Sequence, residues 1–243
     1  HLSLPRGPEP DITPEDRISC KIWGIGADGT VGANKNSIKI IGQNTDMYTQ
    51  AYFAFDAKKS GGVTQSHLRF GKDPIRSPYY VSLADFVACH APTYVYKYDL
   101  AKDLKPGGTF LLNCSWKPEE LDEKLPAELK RGLAEKQAKF YIIDAISIAQ
   151  DLGLGGRTNS VLQSAFFKLV DVIPLDAALA EMKQAVRDTY GTKGDDIVDM
   201  NIKAIDAGVD GLVKIEIPDA WLKAYDEPED ISHLPAFVQE VVI

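Results

Sequence analysis

The stretch WGIGADGTVGANKNSIKIIG, residues 23–42, sets five glycines and two asparagines between a segment with strand character and one with helix character. Gly24, Gly26 and Gly29 satisfy the spacing G-x-G-x-x-G, and Gly32 follows. Upstream, ISCKIW (residues 18–23) alternates apolar and polar side chains, the period of a strand. Downstream, NSIKIIG carries Ile38 and Ile41 and closes on Gly42, as a helix end does. Glycines let a chain turn sharply and let backbone N–H groups approach a phosphate, and a helix N-terminus favours negative charge. The same spacing also serves a tight βα turn that holds nothing, and at the level of these residues both readings stand.

Other segments extend the α/β pattern. AYFAF (residues 51–55) and VTQSHLRF (residues 63–70) are rich in aromatic and β-branched side chains, which favours strands. DFVACH and GGTFLLNCSW are short apolar runs expected of buried strands, with TYVYKYDLAKDL read as a helix between them. Strand, helix and strand in this order imply βαβ units with parallel pairing. KFYIIDA is a further strand. The second half is mostly helical: KPEELDEKLPAELKRGLAEKQ, DAISIAQDLG, SVLQSAFFKLVDV, PLDAALAEMKQAVRDTYG and DDIVDMNIKAIDAG repeat apolar residues at helical spacing. The expected fold is therefore α/β: a Rossmann-like parallel or mixed sheet flanked by helices, with a helix-rich C-terminal half. Residues 1–17 read as a linker or foreign lead-in without a secretory signal, 18–217 as the folded domain, and 218–243, acidic and proline-interrupted, as a linker or arm.

Charge narrows the function. A net charge of −8 and a pI near 5.1 argue against a nucleic-acid partner, and no apolar run is long enough to span a bilayer. Cys20, Cys89 and Cys114 form no C-x-x-C pair and cannot supply four thiolates to an iron–sulfur cluster; as buried small hydrophobes they suit a reducing cytoplasm. His67, His90 and His233 lack metal-ligand spacing and read as structural.

Two further loops bear on an anion. In FDAKKSGG, Asp56 stands where a dinucleotide fold places a ribose-binding carboxylate, and Lys58, Lys59 and Ser60 follow. Two ammonium groups suit a phosphorylated ribose, as in NADP or coenzyme A; a solvated turn accounts for them equally. In GLGGRTNS (residues 153–160), Arg157 offers a forked donor and Asn159 a possible cap to the following helix. Arg157 can clamp a phosphate, or it can be a surface pair beside a simple cap. No nucleophile-and-base motif occurs, so no catalytic residue is assigned and the residues by themselves do not reach a reaction.

At WGIGADGTVGANKNSIKIIG, QAYFAFDAKKSGGVTQSHLRFG and ADFVACH the sequence resembles the pyruvate:ferredoxin (flavodoxin) oxidoreductase family of multidomain 2-oxoacid oxidoreductases. FYIIDA, GLGGRTNSVLQSAFFKL, KG followed by IVDMN, and PDAW match later stretches of the same region. The resemblance runs from Ile18 to Trp221 and is to the third, gamma-subunit-like domain. It implies that the chain is a segment of a larger enzyme converting pyruvate and coenzyme A to acetyl-CoA and CO2, with electrons passing to ferredoxin or flavodoxin. Thiamine diphosphate, Mg and [4Fe–4S] clusters would lie in other domains, which become this chain's partners, and the segment alone would be inactive. Coenzyme A is associated with the gamma-type domain. The expected binding residues are then Gly26, Asp28, Gly29, Thr30 and Gly32 for its pyrophosphate, Lys58, Lys59 and Ser60 for its ribose phosphate, with Arg157 and Asn159 beside them. The alternative is a structural interaction domain without a ligand of its own; an NADP-dependent dehydrogenase explains the glycines but not the stretches around them.

Overall fold

The computed structural model describes residues 13–56 and 61–226. Its strands are β1 (Ile18–Ile25), β2 (Tyr48–Phe55), β3 (Val63–Gly71), β4 (Ala84–Cys89), β5 (Leu104–Asn113), β6 (Lys139–Ile143) and β7 (Val213–Ile215). They form one sheet in the order β2-β3-β1-β4-β5-β6-β7. The helices are α1 (Thr30–Asn44), α2 (Leu121–Lys124), α3 (Ala127–Glu135), α4 (Ala145–Asp151), α5 (Asn159–Val170), α6 (Leu175–Tyr190) and α7 (Asp195–Asp210).

The sheet is mixed. β1, β4, β5 and β6 run parallel, whereas β3 pairs antiparallel with both β1 and β2, and β7 antiparallel with β6. β4 and β5, the strands expected to pair in parallel, do so, whereas the first strand and helix do not open a parallel βαβ unit. The chain leaving α1 forms the β2–β3 hairpin, and the hairpin's second strand inserts beside β1 in the reverse direction.

Helices and turns cover both faces. Cys20, Ile22, Leu68, Phe70, Phe86 and Leu111 face a core shared with α1, α4, α5, α6 and α7. Trp23, Val87, Phe110, Leu112, Phe140 and Ile142 face a second core with the 3₁₀ turn Pro92–Tyr96, α2 and α3. The apolar–polar alternation of β1 therefore does not mark a wet face: Ser19 and Lys21 are buried as well. Lys21 Nζ meets Asp103 Oδ2 at 2.5 Å and lies over the Trp23 ring, satisfying a charge that would otherwise oppose folding.

Two expected helical features differ. TYVYKYDLAKDL is the Pro92–Tyr96 turn followed by irregular chain. β-branched and aromatic residues are poor helix formers, and Asp99 takes the Lys102 N–H at 2.9 Å in a local turn. Lys136 Nζ then donates to the carbonyls of Ala101, Lys102 and Leu104, which a helix would use internally. Gly42 does not end α1, which runs on to Asn44; the side chains of Asn44 and Thr45 bond the carbonyls of Ile40 and Ile41. The stretch assigned to a linker or arm from residue 218 begins as part of this fold: Trp221 is buried against Phe140, and its Nε1 donates to Asp122. Asp226 accepts the N–H of Ala127 at the start of α3. Residues 227–243 lie outside the described residues.

Helices α5 and α7 pack tightly at Gly208, where a Cβ would overlap the Val161 carbonyl and the Ser164 hydroxyl. Replacing Gly208 with Ala should lower stability by about 1–3 kcal/mol through overpacking, measured by urea denaturation. Gly191→Ala, with open space around it, should change the midpoint little.

Candidate functional site

The four parallel strands all point their C-terminal ends to one edge of the sheet. At that edge the chain leaves β1 toward α1 on one face and leaves β4 toward the Pro92–Tyr96 turn on the other. Such a switch in direction is the usual ligand position in open α/β sheets.

The loop between β1 and α1 is held from three sides. Gly26 donates its N–H to the Gly62 carbonyl at 2.7 Å, fastening the loop to the β2–β3 turn. Ala27 and Gly29 adopt left-handed backbone, with φ of 76° and 85°. Asp28 closes the turn: its carboxylate accepts the N–H of Ile25 at 2.8 Å, the N–H of Thr30 at 2.7 Å and the Thr30 hydroxyl at 2.8 Å. Gly24 admits this arrangement, since a Cβ there would lie 2.8 Å from Thr30 and 2.9 Å from Asp28.

A row of polar pins continues across the strand ends. Thr30 Oγ1 lies 2.8 Å from Nδ1 of His90, the residue that follows β4. The His90 N–H donates to the Trp23 carbonyl at 2.9 Å, and the His90 carbonyl accepts from Asn113 Nδ2 at 2.9 Å. Asn113 Oδ1 in turn accepts the Ala145 N–H at the start of α4 at 3.0 Å. Burial pushes His90 down to about 4, against the opposing pull of the Asp28 carboxylate, so the imidazole is neutral at pH 7.

A cavity of about 290 Å³ lies between this loop and the hairpin, lined by residues 25–29, Val31, Phe55, Asp56 and residues 62–64. Gly26, Asp28 and Gly29 thus line one pocket with Asp56, while Thr30 is buried behind them. Gly32 is not in the loop at all: α1 begins at Thr30, and Gly32 sits exposed in its first turn, where a Cβ would meet nothing within 4 Å. The third loop joins the site through Asn159. A Cβ on Gly29 would lie 2.8 Å from the Asn159 amide, so Asn159 packs on the glycine loop as the first residue of α5 rather than capping that helix. Arg157 is exposed two residues earlier. Lys58, Lys59 and Ser60 lie outside the described residues.

The electrostatics of the described part are mixed. Asp28 and Asp56 put two carboxylates on the cavity, and the N–H of Thr30 is already given to Asp28. None of the hydrogen bonds among the described residues uses the N–H groups of Gly29, Val31 or Gly32, the donors a helix N-terminus leaves for an anion. In the sequence His90 reads as a structural histidine, like His67 and His233. Its signal was position: it directly follows the buried run DFVAC, where a parallel strand delivers a side chain to the ligand edge. His67, by contrast, is fully buried, stacks on Tyr80, and accepts the Val81 N–H at Nδ1, leaving Nε2 without a partner. The three cysteines are buried free thiols, and burial pushes Cys89 up to about 12 and Cys114 to about 11.

Comparison with known proteins adds lineage to this geometry. Residues 19–211 match the family model described as pyruvate ferredoxin/flavodoxin oxidoreductase. The chain is 57% identical over 233 residues to the pyruvate-flavodoxin oxidoreductase of Enterobacter agglomerans, covering 96% of this chain and 20% of that protein. It thus spans about a fifth of that relative's length. Among solved structures, the pyruvate oxidoreductase subunit PORC of Thermotoga maritima superposes with a TM-score of 0.66 at 17% identity, over 83% of this chain and 100% of that one. The gamma subunit of a keto/oxoacid ferredoxin oxidoreductase from Geobacter sulfurreducens gives 0.57 at 21%, over 80% and 95%. At these identities the two structures speak for the fold.

Two expectations test the geometry. Gly29→Ala should cost about 1–3 kcal/mol, from its left-handed backbone and the Asn159 contact; adding Asn159→Ala should recover part of the loss in a double-mutant cycle. The second concerns His67, which burial, with the Lys21 and Arg69 charges nearby, lowers from 6.5 to about 4. The unfolded chain binds the proton more readily, so this contribution is fully present above pH 6.5 and is lost as pH falls toward 4. The loss should reach about 3 kcal/mol in denaturation series at several pH values, and His67→Phe should flatten the slope.

Proposed function

The chain belongs to the pyruvate ferredoxin/flavodoxin oxidoreductase family, and from that premise we propose that it is the gamma-type domain of a 2-oxoacid oxidoreductase and that its crevice holds part of coenzyme A. The reaction of the whole enzyme is then pyruvate plus coenzyme A to acetyl-CoA and CO2. Electrons would leave through [4Fe–4S] clusters to ferredoxin or flavodoxin, with thiamine diphosphate and Mg in other domains. Coenzyme A supplies the thiol that receives the acetyl group; this domain's share is to bind and orient it, and the isolated chain is inactive. Three buried thiols, with no disulfide among the described residues, suit a cytoplasmic setting.

The observation that carries the proposal is the convergence of separate sequence motifs on one crevice. The glycine loop and the Asp56 strand end line one cavity, and Asn159, well over a hundred residues on, packs against Gly29 of that loop. The donor set fits a nucleotide in a divided way. The N–H groups of Gly29, Val31 and Gly32, with Arg157 on the neighbouring loop, suit a pyrophosphate, whereas Asp56 suits ribose hydroxyls. Lys58, Lys59 and Ser60 follow Asp56 in the chain and are assigned to the ribose phosphate.

A second reading has its own support. Tyr48, Tyr52, Phe55, Tyr79 and Tyr80 are exposed on and beside β2, the edge strand, with Tyr52 and Tyr80 in ring contact at 5.3 Å. Exposed aromatics at a sheet edge favour a domain that packs against others in the parent. The two readings separate in the thermal midpoint measured with coenzyme A, its 3′-dephosphorylated form and NADP. Coenzyme A at a hundredfold excess over Kd should raise the midpoint by roughly 5–10 °C. The rise should shrink for the dephosphorylated form and in the Lys58→Ala/Lys59→Ala variant. No shift with any ligand would leave the interaction domain as the better reading.

A further inference from the structure

The hydrogen-bond chain from Asp28 through Thr30 to His90 has only one consistent direction. Asp28 is a carboxylate that accepts from two backbone N–H groups and also lies 2.8 Å from Thr30 Oγ1. A carboxylate has no hydrogen to give, so the single hydroxyl hydrogen of Thr30 points to Asp28. The other 2.8 Å contact of Thr30 Oγ1, to His90 Nδ1, must then run the opposite way, with Nδ1–H donating to the hydroxyl oxygen. A neutral imidazole carries one N–H, and His90 has placed it on Nδ1. Its Nε2 is left as a bare acceptor.

That nitrogen is not sealed off, and it sits at the C-terminal end of β4 beside the first residue of α1. His90 is half-buried, its Nε2 has no partner among the described residues, and it is not among the fully enclosed polar atoms, unlike Nε2 of His67. His67 also has the opposite tautomer, because Val81 donates to its Nδ1 at 3.1 Å and the proton must sit on Nε2. Two neutral histidines of one sheet are thus set in opposite states by what faces their Nδ1 atoms.

We infer that His90 Nε2 accepts a hydrogen bond from an uncharged donor of the bound molecule, a hydroxyl or an amide N–H, and so fixes which part of the ligand lies at the mouth between β1 and β4. The identity of that ligand rests on the coenzyme A reading. A lone pair repels phosphate oxygens, as do Asp28 and Asp56 on the adjoining cavity, so the phosphates are directed toward the first turn of α1 and Arg157. The pantetheine arm, with its two amides and its hydroxyls, or a ribose hydroxyl, is the group left for His90.

The tautomer is measurable without any ligand. In a long-range proton–nitrogen correlation spectrum of the 243-residue chain at pH 7, His90 should be neutral with its proton on Nδ1. His67 should show it on Nε2, and His90→Gln identifies the signals. A His90 proton on Nε2, or a doubly protonated ring, overturns the inference. Pantetheine and coenzyme A are then added in turn. The Nε2 resonance of His90 should move with both, or with coenzyme A alone if the donor is a ribose hydroxyl. Coenzyme A that raises the thermal midpoint yet leaves Nε2 unmoved overturns this assignment and spares the binding proposal; no midpoint shift and no Nε2 shift overturns both. In the same titration His90→Phe should weaken binding about tenfold, the loss of one hydrogen bond, while His90→Gln, which keeps an acceptor near the same place, should stay within about threefold. Equal losses in the two variants would also overturn it.

Discussion

Four parallel strands cannot be joined by tight hairpins, and this constraint organises the rest of the molecule. Each parallel connection must carry the chain back over a face of the sheet, so both faces become covered and the strand C-terminal ends gather at a single edge. The covering explains why β1 buries Ser19 and Lys21 along with Cys20 and Ile22. The gathering explains why Gly26, His90, Asn113 and Asp144, far apart in sequence, share one neighbourhood. Asn113 shows the coupling: one amide bonds the end of β4 and the start of α4 together, so the positions of His90 and α4 are set by the same buried side chain.

Burial on both faces has a polar cost, and the structure meets it unevenly. Lys21 is matched by Asp103, and Lys136 by three backbone carbonyls. Other groups are left over among the described residues: Arg17 Nε, Trp23 Nε1, Asn34 Nδ2, His67 Nε2, Gln163 Nε2 and the hydroxyls of Thr64 and Ser66 have no partner. Most lie on β1 and β3, the pair flanking the glycine loop. Polar atoms enclosed without partners are usually few and each tends to have a reason. Four of the seven sit on β1 and β3, with none on β5 or β6, which sets that part of the sheet apart from the well-satisfied β5–β6 side.

Element type was legible from local pattern wherever an apolar run had one period. The runs at DFVACH, FLLN and FYII are strands, and the amphipathic segments of the second half are helices, because burial and period agree there. Pairing was not legible, since nothing local tells β3 to run antiparallel between β2 and β1; that follows from a hairpin the periodicity does not encode. TYVYKYDLAKDL failed for a different reason: its fold depends on Lys136, more than thirty residues on. In the site, the glycine spacing located Gly26, Asp28 and Gly29 together, and chemistry pointed to Asp56. His90 escaped because a single histidine carries no spacing signal, and its significance comes from Thr30, sixty positions away.

Asp28 changes what the glycine loop can do. In a dinucleotide fold the helix N-terminus offers its N–H groups and its positive end to a phosphate. Here a carboxylate of the loop itself takes the first of those donors and partly neutralises the end of α1. In the proposed binding mode a phosphate would therefore sit further along, over Gly29, Val31 and Gly32, or be drawn by cations such as Arg157. The same carboxylate, acting through the Thr30 hydroxyl, decides the tautomer of His90. On the proposed reading, one acidic residue would thus repel the charged part of a ligand from the inner loop and, through a neutral imidazole, prepare an acceptor for its uncharged part. In that proposal the glycines make room for the molecule, and Asp28 sets which way round it would lie.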